Sequence, residues 1–177
     1  PYLIPPPGSH TVNAPPDQLK IGLTWAGKPT HRNDRNRTTS LQTFMPLIEQ
    51  PNMTFFSLQL GPPADEIDRL GASALVHDLR PHLRDFSDSA AVLSKLDLVI
   101  CVDTSLAHLA GAMARPVWTL LPFAPDWRWR LKRTDTPWYP SMRLFRPDSP
   151  RDWTGVINQV KDALVDFKKT FAAAQKN

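Results

Sequence analysis

Short runs of β-branched and aromatic residues alternate with segments of helical periodicity along most of the chain. Such alternation is typical of repeated βα units around a parallel sheet. The run 98–102 is continuously apolar, which predicts a central strand that is buried on both faces. The predicted strands are, in chain order, Lys20–Trp25, Thr54–Gln59, Leu75–Asp78, Asp97–Val102, Val117–Leu121 and Met142–Arg146.

Helical segments are predicted between and after these strands. Ser40 has a hydroxyl suited to capping a helix, and one helical face then collects the apolar side chains of Leu41, Phe44, Met45 and Ile48. The other predicted helices cover Ala64–Leu70, a segment from Asp88 or Ser89 to Leu96, Ser105–Ala114 and Trp153–Phe171. Together these elements predict a three-layer α/β fold, a Rossmann-like doubly wound parallel sheet of about six strands in the order 3-2-1-4-5-6.

The length of 177 residues suits one domain with one sizeable core. We expect residues 1–18 to be a proline-rich linker, 19–170 to be the domain and 171–177 to be a polar tail. The chain does not begin with methionine, so we expect it to be part of a longer protein. No apolar run approaches the roughly 18–20 residues that a membrane-spanning helix needs. The single cysteine, Cys101, excludes an internal disulfide and a cysteine-rich zinc site, and we expect a reducing, cytoplasmic setting.

The charge balance is mildly basic, with 21 Lys and Arg against 17 Asp and Glu and a net charge of +4. This excess is too small to require a nucleic-acid partner, but it favours a phosphorylated ligand. A solvated basic surface is the alternative interpretation. The basic side chains gather in two clusters, Lys28, Arg32, Arg35 and Arg37 early in the chain, and Arg128, Arg130, Lys132 and Arg133 late in it.

The turn after the predicted central strand carries the strongest chemical signal. In doubly wound sheets ligands bind beyond the carboxyl ends of the strands, and here Asp103, Thr104 and Ser105 open a helix at that point. Free amides, hydroxyls and the helix dipole together suit a phosphate. His108 lies one helical turn further along the same face and could donate to a phosphate oxygen. Simple helix capping is the alternative, and capping and anion binding are compatible.

The loop after the first strand nearly matches a phosphate-binding loop between Gly22 and Lys28, but the match fails. Pro29 supplies neither a hydroxyl nor an amide, and Gly22 lies inside the strand. The Gly-x-Gly-x-x-Gly dinucleotide pattern is also missing. What remains is Gly27, which permits close backbone approach, and Lys28 and Arg37, either of which could neutralise a diphosphate. A solvated polar loop is the alternative.

The late loop from Phe123 to Tyr139 interleaves aromatic and basic side chains. It could stack a base or a sugar, pack on another domain, pack on its own core, or bind single-stranded nucleic acid, which we consider the weakest option. The aromatic residues in question are Trp127, Trp129, Trp138 and Tyr139.

Taken together, these segments resemble the nucleotide-sugar-binding, carboxyl-terminal half of a GT-B glycosyltransferase. The closest resemblance is to glycosyltransferase family 9, the heptosyltransferase-like family, in the form that follows tetratricopeptide repeats in bacterial proteins. It covers nearly everything from residue 20 to about 165. The segments that carry it are Ile21–Gly27, Asn33–Arg37, Ser57–Gln59, Val102–Ala112, Pro116–Trp118, Leu121–Trp129 and Trp138–Arg146.

The resemblance implies a role for each candidate residue. A basic residue of the first loop would aid the leaving diphosphate, with Arg37 the preferred match and Lys28 the second. Gln59 and, more weakly, Glu66 would line the base and ribose. The donor diphosphate would be held by Asp103, Thr104, Ser105 and His108. One departure is Ser105, because the heptosyltransferases proper have glycine there, and this leaves the sugar and the nucleotide open.

The implied reaction is metal-independent, inverting transfer of a sugar from a nucleoside diphosphate sugar to a glycan or protein acceptor, with no cofactor. The chain has no Asp-x-Asp triplet to hold a divalent metal, which agrees with this expectation. The acceptor contacts and the catalytic base would belong to an amino-terminal GT-B domain outside this chain, so we expect the chain alone to bind without turnover. The alternative is a non-catalytic nucleotide-sensing or scaffold module beside helical repeats.

Overall fold

The fold is built on one six-stranded parallel sheet in the computed structural model, which describes residues 1–5 and 12–174. The strands are β1 Leu19–Thr24, β2 Met53–Ser57, β3 Val76–Asp78, β4 Leu98–Val102, β5 Val117–Leu120 and β6 Met142–Phe145. Their order is β3-β2-β1-β4-β5-β6, and all five pairings are parallel. The predicted fold class and strand order are therefore confirmed, with strand ends shifted by one or two residues.

Helices cover both faces of this sheet. They are α1 Asp34–Arg37, α2 Leu41–Ile48, α3 Glu66–Arg69, α4 Phe86–Leu93, α5 Ser105–Ala112 and α6 Trp153–Ala174. The cap predicted at Ser40 is confirmed, since its hydroxyl accepts a hydrogen bond from the Thr43 amide. On the buried face of α2, Leu47 is fully buried, whereas Met45 is only partly buried.

Two helical predictions need correction, and one helix was not predicted. The helix before β4 begins at Phe86 and is capped by Asp85, because Asp88 instead turns back to bind Arg84. The helix predicted over 64–70 is divided into a 3-10 turn, Pro62–Asp65, and the single turn α3, since the two prolines suit only a tight start. Helix α1 was not predicted, because it buries no residue and so has no hydrophobic periodicity.

The sheet separates two hydrophobic layers, and the side chains of its central strand β4 alternate between them. Leu98, Ile100 and Val102 face the layer that contains α2 and α6. Val99 and Cys101 face the layer that contains α4 and α5. This alternation is the reason that a continuously apolar run was needed at this position.

Gly22 in the middle of β1 has a packing role. A Cβ atom there would lie 2.6 Å from Cδ1 of Leu96 and 2.8 Å from Cδ1 of Leu58. The glycine therefore lets the segment before β4 and the end of β2 pack closely on the sheet. The near match to a phosphate loop arises from this packing requirement.

The first residues of the chain lie against the domain. The backbone amides of Tyr2 and Leu3 donate to the carbonyl oxygen of Ala112 at 3.0 and 3.3 Å, and Val12 and Ala14 pack on the layer that contains α5. The remainder of the predicted linker, 6–11, and the end of the predicted tail, 175–177, are outside the described residues. Within the described part, none of the helices is long and apolar enough to cross a membrane.

Candidate functional site

A cleft of about 470 Å³ opens at the carboxyl ends of β1, β2 and β4. This is the point where the strand order reverses between β1 and β4, which is where doubly wound sheets bind ligands. We call it the main cleft. The predicted site residues that line it are Gly27, Lys28, Gln59, Thr104 and Ser105. The location predicted from the sequence therefore coincides with a real cavity.

The start of α5 forms one wall of the main cleft. Thr104 is the N-cap, with extended backbone angles, and its side chain caps no helix amide. Its Oγ1 atom is buried without a hydrogen-bond partner, and so is Oγ1 of Thr24, which lines the same cleft. Buried hydroxyls normally have a partner, so this pair is suited to a polar group of a ligand. The first amides of α5 and the positive end of its dipole add to the attraction for an anion.

Arg37 joins the first loop to the turn before α5. Its Nη1 donates to the carbonyl oxygen of Asp103 at 2.8 Å, and its Nε lies 3.3 Å from Oδ1 of Asp34. Gly27 makes room for this arrangement, because a Cβ there would lie 2.8 Å from Nη2 of Arg37. The Gly27 amide donates to Oγ1 of Thr38, which closes the loop. The structure thus brings together two predicted residues, Gly27 and Arg37, that flank the turn.

Gln59 is a positioning residue, which corrects its predicted contact with base and ribose. Its Oε1 accepts from the amides of Trp25 and Ala26 at 3.0 and 2.9 Å. Its Nε2 donates to the carbonyl oxygens of Ala26 and Leu60 at 3.2 and 3.0 Å. With four hydrogen bonds to the backbone and 2% of its surface exposed, the side chain has no group left for a ligand.

Glu66 has a structural role as well. Its Oε2 accepts from the backbone amide of Leu41 at 2.6 Å, and Oε1 lies 3.6 Å from Nη2 of Arg69. The carboxylate therefore neutralises the positive end of α2, and Glu66 is not one of the residues that line the main cleft. The predicted ribose contact is replaced by this cap because α2 packs beside α3 in the folded chain.

The remaining predicted residues differ in exposure. Lys28 and Ser105 are exposed at the rim, whereas Asp103 is buried beneath the turn. Phe86 and Leu60 also line the main cleft and were not predicted, although both are large apolar side chains with 63% and 50% of their surfaces exposed. Exposed apolar side chains such as these follow no periodic pattern, so the sequence did not indicate that they line the cleft.

His108 lies in a second cavity of about 500 Å³, next to the main cleft. We call this cavity the aromatic cleft; it is lined by Tyr2, His108, Trp127, Arg128, Trp138 and Tyr139. The imidazole stacks on Trp129 with ring centroids 5.1 Å apart, and its Nδ1 lies 3.0 Å from the hydroxyl of Tyr139. These contacts hold the ring against the late loop, and His108 is not one of the residues that line the main cleft.

Burial dominates the electrostatics of the aromatic cleft. It lowers the pKa of His108 below the ordinary value of 6.5, and the nearby Asp103 carboxylate opposes this only in part. Burial also raises the pKa of Tyr139 to about 12, with the neighbouring Tyr2 hydroxyl adding to the effect. Both side chains are therefore neutral at pH 7, and act there as hydrogen-bonding groups.

Carboxylate and imidazole groups are scattered through the described residues. No three His, Cys, Asp or Glu side chains in the part of the chain that the structure describes gather closely enough to hold a metal ion.

Comparison with known proteins identifies a family. Residues 58–151, more than half of the chain, match the family model of glycosyltransferase family 9 (heptosyltransferase). Protein FlbA of Caulobacter vibrioides is 30% identical over 152 residues, which are 84% of this chain and 25% of FlbA. The chain therefore spans about a quarter of that relative.

Solved structures confirm the fold. E. coli ADP-heptose lps heptosyltransferase II aligns with a TM-score of 0.58 and 15% identity, over 92% of this chain and 48% of its own. E. coli heptosyltransferase WaaC with ADP aligns with a TM-score of 0.58 and 20% identity, over 87% and 46%. The chain thus corresponds to a little under half of each structure. With the match to the family model, these observations establish that the chain belongs to glycosyltransferase family 9.

Proposed function

We propose that the main cleft binds the nucleoside diphosphate of a nucleotide sugar, and that this chain is the donor-binding part of a metal-independent, inverting glycosyltransferase. Membership of glycosyltransferase family 9 supports sugar transfer as the reaction class. The observation that carries the proposal is the start of α5, where an unpartnered buried hydroxyl, Thr104 Oγ1, and free helix amides face a cavity at the switch point of the sheet.

The diphosphate is assigned to the α5 side of the main cleft. The amides of the first turn of α5 and the Thr104 hydroxyl supply donors for phosphate oxygens. The helix dipole contributes about 0.3–1 kcal/mol per charge, and up to about 2 kcal/mol where the site is partly buried. Lys28 at the rim supplies positive charge, and Arg37, which is paired with Asp34, supports the turn from behind through the Asp103 carbonyl oxygen.

The nucleobase is assigned to the opposite side of the main cleft. Gln59 cannot serve it, because its amide group is occupied by the backbone. The exposed side chains of Leu60 and Phe86 give that side an apolar surface on which a base can pack. The nucleotide would then extend from Phe86 to Thr104 across the carboxyl ends of β1 and β2.

Cationic side chains and helix amides would replace a metal ion in the reaction. In the transfer step an acceptor oxygen would form a bond to the anomeric carbon and lose its proton to the catalytic base. The bond between the anomeric carbon and the β-phosphate oxygen would break, so negative charge develops on the departing diphosphate. Fixed donors aimed at that charge lower the barrier without reorganising during the step. Arg37 is suited to this role because its contacts with Asp34 and the Asp103 carbonyl hold its guanidinium in place.

The catalytic base and most of the acceptor contacts are assigned to residues outside this chain. The two heptosyltransferase structures extend well beyond the part that this chain matches. We therefore expect the 177 residues to bind donor nucleotide without transferring sugar.

Arg37 provides the test of this assignment. Arg37→Ala is expected to weaken binding of the preferred nucleoside diphosphate by about 1–3 kcal/mol, the scale of hydrogen bonds to charged groups. Calorimetric titration of the 177-residue chain measures the change. Arg35→Ala is the matched control, since Arg35 belongs to the same short helix but is exposed, whereas Arg37 is partly buried and bonds to the turn before α5. Equal affinity in Arg37→Ala and the unaltered chain would contradict the assignment of Arg37.

A further inference from the structure

The aromatic cleft presents two exposed indole rings on a fixed support. Trp127 and Trp138 have 75% and 53% of their surfaces exposed, although both are large apolar side chains. Nε1 of Trp138 donates to the carbonyl oxygen of Arg128 at 3.2 Å, which holds its ring against the loop. The Arg128 guanidinium lies 6.0 Å from the ring centroid of Trp127. The cleft therefore has flat apolar faces next to a hydrogen-bond donor.

The polar groups of the aromatic cleft are held in place as well. His108 is fixed by its stacking on the buried Trp129 and by the Tyr139 hydroxyl. Tyr139 packs so closely on Gly111 that a Cβ there would lie 2.8 Å from Cδ1 of its ring. Tyr2 reaches the cleft because its backbone amide is bonded to α5. Rigid aromatic faces with a few fixed polar groups are typical of a small-molecule site.

The aromatic cleft lies beside the diphosphate end of the main cleft. Ser105 lines the main cleft and His108 lines the aromatic cleft, and the two are separated by one turn of α5, a rise of about 5 Å. A ligand in the aromatic cleft would thus lie next to the group that leaves during sugar transfer.

We propose that the aromatic cleft binds a pyranose ring of a saccharide acceptor, an inference that rests on the proposed donor function of the main cleft. A pyranose ring presents a face of C–H groups that stacks on indole, and its hydroxyls bond to arginine, histidine and tyrosine side chains. A polyanion such as single-stranded nucleic acid suits the loop less well. Two of its arginines are already paired with carboxylates, Arg128 with Asp126 at 3.1 Å and Arg133 with Asp135 at 2.7 Å.

The indole N–H groups of the six tryptophans report saccharide binding directly. In the ¹⁵N-tryptophan-labelled 177-residue chain, each indole N–H peak is assigned by a Trp→Phe substitution. Millimolar maltotriose, cellotriose and triacetylchitotriose are then added separately. We expect at least one trisaccharide to shift the peaks of Trp127 and Trp138 and to leave that of the buried Trp25 unchanged.

Two variants test whether the peak shifts arise from binding in the aromatic cleft. Trp127→Ala is expected to weaken trisaccharide binding about tenfold or more, and because 75% of the Trp127 surface is exposed, its removal is expected to leave the loop folded. Leu131→Ala is the matched control, because Leu131 is 73% exposed on the same loop and does not line the aromatic cleft. Equal loss of affinity in both variants would overturn the proposal.

Experiments with other ligands distinguish a failure of the saccharide proposal from a failure of the donor assignment. No shift with any trisaccharide overturns the saccharide assignment, whatever the main cleft binds. Shifts of Trp127 and Trp138 with UDP or an oligothymidylate, and not with trisaccharides, overturn it in favour of a nucleotide site. Trisaccharide shifts in a chain that binds no nucleoside diphosphate support the saccharide site and contradict the donor function.

Discussion

Replacing Gln59 with leucine is expected to lower the free energy of unfolding by about 3–5 kcal/mol. The substitution leaves the buried amides of Trp25 and Ala26 without acceptors, and each unsatisfied buried donor costs about 1–3 kcal/mol. The carbonyl oxygen of Ala26 also loses a donor. Urea unfolding followed by circular dichroism measures the change. The loop that carries Gly27 and Lys28 follows directly, so nucleotide affinity is expected to fall as well.

Gln159→Leu is the matched control for Gln59→Leu. Gln159 is exposed and makes one hydrogen bond, from its Nε2 to the carbonyl oxygen of Arg146 at 2.9 Å. Its replacement is expected to change stability by less than about 0.5 kcal/mol. A Gln59→Leu chain that keeps its stability but loses nucleotide affinity would contradict the positioning role and restore Gln59 as a ligand contact.

Ser105→Asp is expected to weaken nucleoside diphosphate binding by about 2–4 kcal/mol, because the new carboxylate lies beside the proposed phosphate position. The free energy of unfolding is expected to rise. A negative charge in the first turn of α5 interacts favourably with the helix dipole and contributes about 0.3–1 kcal/mol. Calorimetric titration and urea unfolding of the same sample measure the two effects, which a general loss of structure cannot produce together.

Thr154→Asp is the control for the added charge. Thr154 is exposed in the first turn of α6 and does not line the main cleft. Its substitution adds the same charge to another helix start and is expected to leave nucleotide affinity unchanged. Equal weakening by both variants would mean that net charge alone governs binding and would contradict the placement of the diphosphate at α5.

The sheet was predictable from the sequence because each strand is indicated by a pattern within a few consecutive residues. Most strands are short runs rich in apolar, β-branched or aromatic residues, and the continuously apolar run of β4 identifies the central strand before any contact is known. Helix boundaries were harder to predict. Asp85 and Asp88 are both able to cap α4, and only the pairing of Asp88 with Arg84 decides between them. Helix α1 buries nothing, so periodicity has no bearing on it.

The location of the candidate site was predictable, but several side-chain roles were not. The carboxyl end of β4 and the loop after β1 follow from the strand order. The roles of Gln59 and Glu66 depend on backbone amides that lie 33 and 25 residues earlier in the chain. His108 is positioned by Trp129 and Tyr139, which belong to a loop without regular pattern. Such long-range contacts leave no periodic signal in the sequence.

Titration of the 177-residue chain with UDP, ADP and GDP, each with and without EDTA, tests the donor assignment most directly. The arrangement of Thr104, Lys28 and Arg37 around the start of α5 predicts that at least one of the three diphosphates binds and that EDTA leaves its affinity unchanged. The absence of binding by all three, or binding that EDTA abolishes, would contradict a metal-independent nucleoside diphosphate site in the main cleft.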